Sequence, residues 1–343
     1  MSLPLPIDYA PMEADTARAI PTGAEWEYEP KWDGFRCLAF RDGDDIHIMS
    51  KSSQPLARYF PEIVEALRSL KPQTFVLDGE LIVTEKRTLD FDALLQRIHP
   101  AESRINKLAR ETPATLVLFD LLVNEHAEDF SGRVLEERRT ELEHFAAKFL
   151  NGQDRIRLSP RTRDFEVAKS WFKRMAGPLD GVIAKRVDRA YASGERNSMV
   201  KIKNLRTADC VVGGFRYGAK NRLVGSLLLG LYNDAGLLDH VGFTSGLAAA
   251  DKEALTKRLE ALVAPPGFTG AAPGGPSRWS TERSTEWQPL APTLVAEVQY
   301  DHFSGHRFRH GTKLLHWRPE KRPEDCTISQ VSRESESALT LLD

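Results

Sequence analysis

The chain has little cysteine, three residues in 343, and Cys37, Cys210 and Cys326 stand far apart. Without a C-x-x-C pair the sequence offers no basis for a structural zinc site or a dithiol redox couple. Long apolar runs are missing as well. No stretch approaches the roughly 18 uninterrupted apolar residues of a membrane span, and the opening MSLPLPIDYAP lacks a basic segment followed by a long apolar one. The reading is a soluble, cytoplasmic protein with no membrane partner. An excess of charge is also absent: 47 basic against 49 acidic residues leave a net charge of −2. Any nucleic-acid binding must then come from a local basic surface. No repeat at a fixed period is found, which excludes solenoids and propellers.

What remains is ordinary globular material. Hydrophobic residues make up 41% and charged residues 28%, which excludes a disordered tail or a fibre. At about 150 residues per domain this length argues for two domains. Apolar, β-branched runs at Thr74 to Val83, Leu116 to Leu122, Gly181 to Arg186 and Met199 to Lys203 read as strands. Between them Leu56, Tyr59, Phe60, Ile63, Val64, Leu67 and Leu70 keep helical spacing, as do Leu135, Leu142, Phe145 and Phe149. The first part is therefore α with β. After about Arg206 short strand-like runs are separated by Gly or Asn-Asp turns, with one helical interval from Ala248 to Val263, the composition of a small barrel. The boundary is expected near Leu205 to Asp209. Pro and Gly crowd the stretch from Ala264 to Pro292, which reads as one long loop.

Residues able to carry chemistry fall into short clusters. In Glu29-Pro30-Lys31-Trp32-Asp33-Gly34-Phe35-Arg36 a lysine is followed by an acid, a glycine and an arginine. A lysine is a nucleophile only as the neutral amine, so it needs nearby cations, desolvation or a metal. Arg36 could bind an anionic or hydroxyl-bearing ligand through its fork of donors, although a solvated strand end has the same composition. Asp78-Gly79-Glu80 interrupts an apolar strand, and alternation puts both acids on one face. Asp180 opens DGVIAKR ahead of Lys185, an acid beside a base that suits a metal next to phosphate. Lys201 and Lys203 share a strand face and tolerate each other best with an anion between them. Phe119 is either core or a ring on which a base stacks.

The order EPKWDGFR, SKS, LDGELIV, VLFDLL, DGVIAKR, KIK and WRPEK resembles the ATP-dependent DNA ligases, most nearly the short bacterial type associated with break repair. The likeness runs from about Tyr28 to Cys326. It implies an α+β fold: a nucleotidyltransferase (adenylation) domain of the DNA ligase type over 1–206, followed by an OB-fold β-barrel over 207–343. It implies ATP and Mg²⁺ (or Mn²⁺) as cofactors, with Lys31 as the catalytic nucleophile that becomes lysyl-AMP. Glu29 would read adenine through backbone or side chain, Arg36 and Glu80 the ribose region, and Phe119 would stack on the base. Lys201 and Lys203 would hold the α-phosphate and help Lys31 lose its proton. Lys51 would contact nucleotide or 5′-phosphate, Arg318 and Lys321 would orient pyrophosphate, and Glu80 and Asp180 would ligate metal.

Three positions depart from the family pattern. Asp180 stands where glutamate is commoner, Lys51 where arginine is, and Glu320 where aspartate is; none removes an essential group. Between His306 and Arg322 six cations face the single acid Glu320, a local excess suited to phosphate backbone, with Arg307, Arg309 and Lys313 as expected DNA contacts. The expected partners are nicked or broken duplex DNA and end-binding repair proteins, with the chain itself a monomer. An RNA ligase or capping-type nucleotidyltransferase shares the K-x-D-G core, and an idle DNA-end-binding relative is the reading without catalysis.

Overall fold

The computed structural model describes residues 3–85, 88–174, 179–219, 222–274, 286–331 and 338–342. The chain forms two compact units that divide after Asn204.

In the first unit a six-stranded sheet runs in the order Asp45–Ser50, Phe35–Asp42, Thr74–Glu85, Ala114–Val123, Ile156–Leu158, with Thr88–Leu89 added to the end of Thr74–Glu85. Alternation along Thr74–Glu85 settles its two faces. Phe75, Leu77, Leu81 and Val83 pack with Ile63, Leu67, Leu142 and Phe145 of the helices Pro61–Ser69 and Leu135–Phe149. Val76, Asp78, Glu80 and Ile82 therefore point the other way. On that side lies a four-stranded sheet, in the order Asp15–Thr16, Met199–Lys203, Gly181–Arg186, Trp26–Lys31. Leu38, Phe40 and Val76 of the larger sheet pack with Met199 and Tyr191. The far face of the smaller sheet is closed by Ala168 and Trp171 of the helix Phe165–Arg174.

The helix expected from Leu56 to Leu70 is shorter than its spacing suggests. Only Pro61–Ser69 is α-helical, preceded by a single tight turn at Ala57–Tyr59. Pro61 disfavours α conformation in the residue before it, and Phe60 has φ −131°.

The second unit is antiparallel, in the order Leu238–Thr244, Val224–Tyr232, Arg206–Tyr217, Val295–Tyr300, Lys313–Trp317. The two edges meet: the Thr312 N–H donates to Phe243 O at 3.0 Å and the Thr244 hydroxyl to Thr312 O at 2.9 Å. Those bonds close the sheet into a barrel, and the helix Lys252–Glu260 lies between the third and fourth of these strands in sequence. Val211, Phe215, Leu227, Leu229, Val241 and Val298 fill it.

Two expectations need correction. The stretch from Ala264 to Pro292 is not a single free loop. Gln288–Pro289 pairs with Arg206–Tyr217, and Phe268 and Leu290 are buried in the barrel core; positions 275–285 lie outside the described residues. Nor do residues 207–343 form one unit. Leu339, Leu341 and Leu342 pack with Trp32, Ile82, Val117 and Leu179 of the first unit, because these apolar side chains have a core there to join.

Candidate active site

Lys31 ends the strand Trp26–Lys31, opposite Gly181. Gly181 has φ +141°, and a Cβ there would come within 1.9 Å of the Ile202 carbonyl oxygen, so only glycine fits. This tight crossing brings Asp180 against Lys31. The Asp180 N–H donates to Lys31 O at 3.0 Å, and the Lys31 ammonium is ion-paired with the Asp180 carboxylate. Gly34 makes a second close approach, since a Cβ would lie 2.1 Å from Leu81 O. The chain thereby passes directly over Thr74–Glu85 and pairs Arg36 with Glu80 across the ladder.

A cleft opens at this junction. Of the residues expected from sequence, Glu29, Lys31, Arg36, Lys51, Glu80, Phe119 and Lys201 line it. Asp180 reaches it through Lys31. Lys203 is not in the lining; it lies one pleat beyond Lys201, near enough to act on it electrostatically.

Charge in the cleft is divided. Burial alone would make Lys31 easier to deprotonate, yet Asp180, Glu80 and Asp33 outweigh it and hold the ammonium above the usual lysine range. Lys201 and Lys203, expected to help Lys31 lose its proton, are outweighed here by these carboxylates. Lys201 is itself pushed down, by burial and then by Lys31, Lys51, Lys203 and Arg196. The Glu80 carboxyl is pushed up to about 8, mainly by burial, with Lys31 and Arg36 pulling the other way.

That shift fixes a sign. A carboxyl whose pKa is raised on folding destabilises the native state progressively as pH rises from about 4.5 to about 8. Glu80→Gln should therefore raise the melting temperature of the metal-free protein by a few degrees at pH 8, with the difference vanishing near pH 4.5. Thermal melts across that range check it, and a variant less stable at pH 8 would contradict it.

Several functional candidates have partners that sequence reading missed. Glu29 is buried, and Lys185 Nζ donates to it at 2.9 Å. Its side chain is therefore engaged within the protein, leaving the backbone as the simpler reader of a base. Arg36 gives Nε and Nη2 to Asp78 at 3.0 and 2.7 Å and lies over Phe119 at 5.0 Å from the ring centroid. So Asp78, which the sequence placed on the same strand face as Glu80, has Arg36 as its partner. Lys51 pairs with Glu13 at 3.1 Å. Glu13 belongs to a segment, Pro11 to Ala14, that also lines the cleft; the sequence held no signal for it, because an extended strap has no periodicity. Lys185 followed Asp180 in the sequence pattern but its burial against Glu29 needed the fold.

In the second unit Arg318 donates to Asp209 at 3.0 Å and Glu297 at 3.3 Å and pairs with Glu320, while Lys321 lies 3.5 Å from Asp209. Arg322 pairs with Asp325. Three of the six cations counted in the basic stretch are thus committed to carboxylates, which narrows that surface. Arg307 lies on the strand Arg307–Phe308 of a short hairpin, Arg309 follows it, and Lys313 begins Lys313–Trp317. Arg307 and Lys313 are exposed.

Asp180 and Glu80, two carboxylates against one ammonium, offer oxygen donors whose chemistry fits a hard divalent cation. Among the described residues no group of three or more such ligands is preassembled.

Comparison with known proteins adds the lineage. Residues 11–203 match the family model for the ATP dependent DNA ligase domain, and 220–321 that for the ATP dependent DNA ligase C terminal region. DNA ligase C of Mycobacterium tuberculosis is 41% identical, covering 97% of this chain and 96% of that protein. DNA ligase C2 of Mycolicibacterium smegmatis is 41% identical over 96% of each. A solved structure named Pmar-Lig_Pre. aligns with a TM-score of 0.62 at 17% identity, over 90% of this chain and 67% of that one, a likeness of fold alone. With both halves matched and relatives similar over nearly their whole length, the chain belongs to the ATP-dependent DNA ligases.

Proposed function

We propose that Lys31 is the nucleophile of this ATP-dependent DNA ligase and that the cleft around it is the nucleotide site. The observation that carries the reading is the junction itself: one lysine, in contact with Asp180 and close to Glu80, in a cleft lined by Arg36, Phe119 and Lys201. The Lys31 amine attacks the α-phosphate of ATP, a P–N bond forms, and pyrophosphate leaves. AMP then passes to the 5′-phosphate at a nick, and the 3′-hydroxyl displaces it to form the phosphodiester. In such transfers the protein mainly positions groups and neutralises charge.

Each side chain has one task. Phe119 offers a ring to the base, Arg36 and Glu80 bind the ribose region, and Lys201 with Lys203 draws in the α-phosphate. Glu80 and Asp180 would hold Mg²⁺ or Mn²⁺, whose positive charge would offset the carboxylates that keep Lys31 protonated. The first unit serves as the adenylation domain and the second as the OB-fold domain. Arg307, Arg309 and Lys313 contact the phosphate backbone of nicked duplex DNA, with affinity falling steeply as salt rises. The enzyme acts as a monomer in break repair, alongside end-binding proteins.

Arg318 and Lys321 orient the departing pyrophosphate. Lys321→Ala should then slow self-adenylation by roughly 10- to 100-fold, the loss of one charge contact to a transferring phosphoryl group, while sealing of a pre-adenylated nick stays within about twofold. Equal losses in both assays would overturn this role.

A further inference from the structure

Tyr191 lies in the segment joining Gly181–Arg186 to Met199–Lys203 and is 5% exposed. Its backbone N–H donates to Ser131 O at 3.0 Å, its ring stacks on Tyr9 at 6.1 Å between centroids, and the Arg138 guanidinium lies over it at 5.4 Å. The ring is fixed on several sides. Its hydroxyl donates to Asp78 Oδ2 at 2.5 Å. Asp78 is fully buried and is the carboxylate that takes both Arg36 Nε and Arg36 Nη2. Arg138 in turn is bidentate to Asp120, the residue after Phe119.

Asp78 Oδ2 is thus shared between the phenol and Arg36, and the plane of the carboxylate sets the plane of the guanidinium. A carboxylate gripped only by Arg36 could rotate with it; one also held by a clamped phenol cannot. Burial and the nearby Asp78 push the Tyr191 phenol well above its ordinary pKa, so the hydroxyl remains a donor throughout the working range.

We propose that Tyr191 is a positioning residue for nucleotide recognition, locking Asp78 so that Arg36 presents its free edge to the ribose hydroxyls of ATP. The proposal rests on Arg36 serving the ribose region. Removing the phenol oxygen leaves the ring packing in place but lets the Asp78–Arg36 pair turn as a unit. Coupled groups of this kind show themselves as non-additive effects.

The test is self-adenylation by the full chain with ATP, 2′-deoxyATP and 3′-deoxyATP, using wild type, Tyr191→Phe and Arg36→Ala, with thermal melts on each protein. Wild type should prefer ATP over at least one deoxy analogue. Tyr191→Phe should raise KM for ATP about tenfold, the scale of one hydrogen bond to a charged group, with the maximal rate within about twofold. It should raise KM for the disfavoured analogue far less, because that analogue has already lost the contact. Arg36→Ala should narrow the same gap. A Tyr191→Phe protein whose KM rises equally for all three nucleotides has only a structural defect, and the proposal fails. It fails too if Arg36→Ala closes the gap and Tyr191→Phe does not. If wild type treats the three nucleotides alike, or Arg36→Ala keeps the gap, the ribose assignment of Arg36 falls and the proposal with it.

Discussion

Replacing Lys31 with alanine should lower transfer of AMP from ATP to the protein by on the order of 10³-fold or more, the scale on which a nucleophile is missed, and leave the fold intact. Lys31 sits at a strand end facing the cleft, its side chain about one-fifth exposed, so its removal opens little core. Its ion-pair partner Asp180 is buried and loses the ammonium, which costs some stability without unfolding the chain. The same variant should still seal a nick whose 5′-phosphate already carries AMP, because that step forms no bond to Lys31. Sealing assays on plain and pre-adenylated nicks separate the two. A variant that seals both equally well would require another nucleophile.

The largest expected stability loss lies away from the chemistry. Arg138 is 0% exposed and donates Nε and Nη2 to Asp120 at 2.8 and 2.9 Å, with Nη1 at 2.7 Å from Arg133 O. Asp120 is 1% exposed. Removing one partner of such a pair strands the other charge in a medium that solvates it poorly, at a cost of about 3–5 kcal/mol. Arg138→Met should therefore destabilise by about that amount at neutral pH, and adding Asp120→Asn should recover part of the loss.

The pH dependence has a definite sign. Burial pushes the Asp120 carboxyl up, but Arg138 overrides it, with Lys185 and the Leu121 N–H assisting, and holds it below the ordinary value. A carboxyl depressed on folding contributes stability above its unfolded pKa, near 4, and loses that contribution as pH falls. Without Arg138 burial raises the Asp120 carboxyl, so the deficit of Arg138→Met should grow as pH rises towards neutral and shrink in acid. Urea unfolding at pH 4 and pH 7 checks this; a deficit that grows in acid would contradict the ion-pair account.

Much of the site was legible because its parts are local in sequence. Lys31, Gly34 and Arg36 fall at the end of one strand, in the link after it and at the start of the next, and the parity of Asp78 and Glu80 follows from the two-residue repeat of a strand. The exchange from α with β to barrel near residue 205 was visible as a change in run length and turn residues. What sequence could not yield was pairing. Nothing in LEERRTELEHF marks Arg138 and Arg139 as buried, since burying a guanidinium depends on carboxylates and carbonyls supplied from other elements. Asp78 looked like a twin of Glu80 until Arg36 and Tyr191 were seen to claim it. Likewise Arg318 and Lys321 were counted as open positive charge, whereas Asp209 meets both.

The most direct test of the central claim is incubation of the purified chain with α-labelled ATP and divalent metal, after pyrophosphate treatment to strip any AMP already bound, followed by denaturing electrophoresis and peptide mapping. GTP and NAD run in parallel. The account predicts label from ATP alone, released by pyrophosphate and mapped to the peptide containing Lys31. Label on any other residue, or none on a protein that still seals nicks, would contradict it.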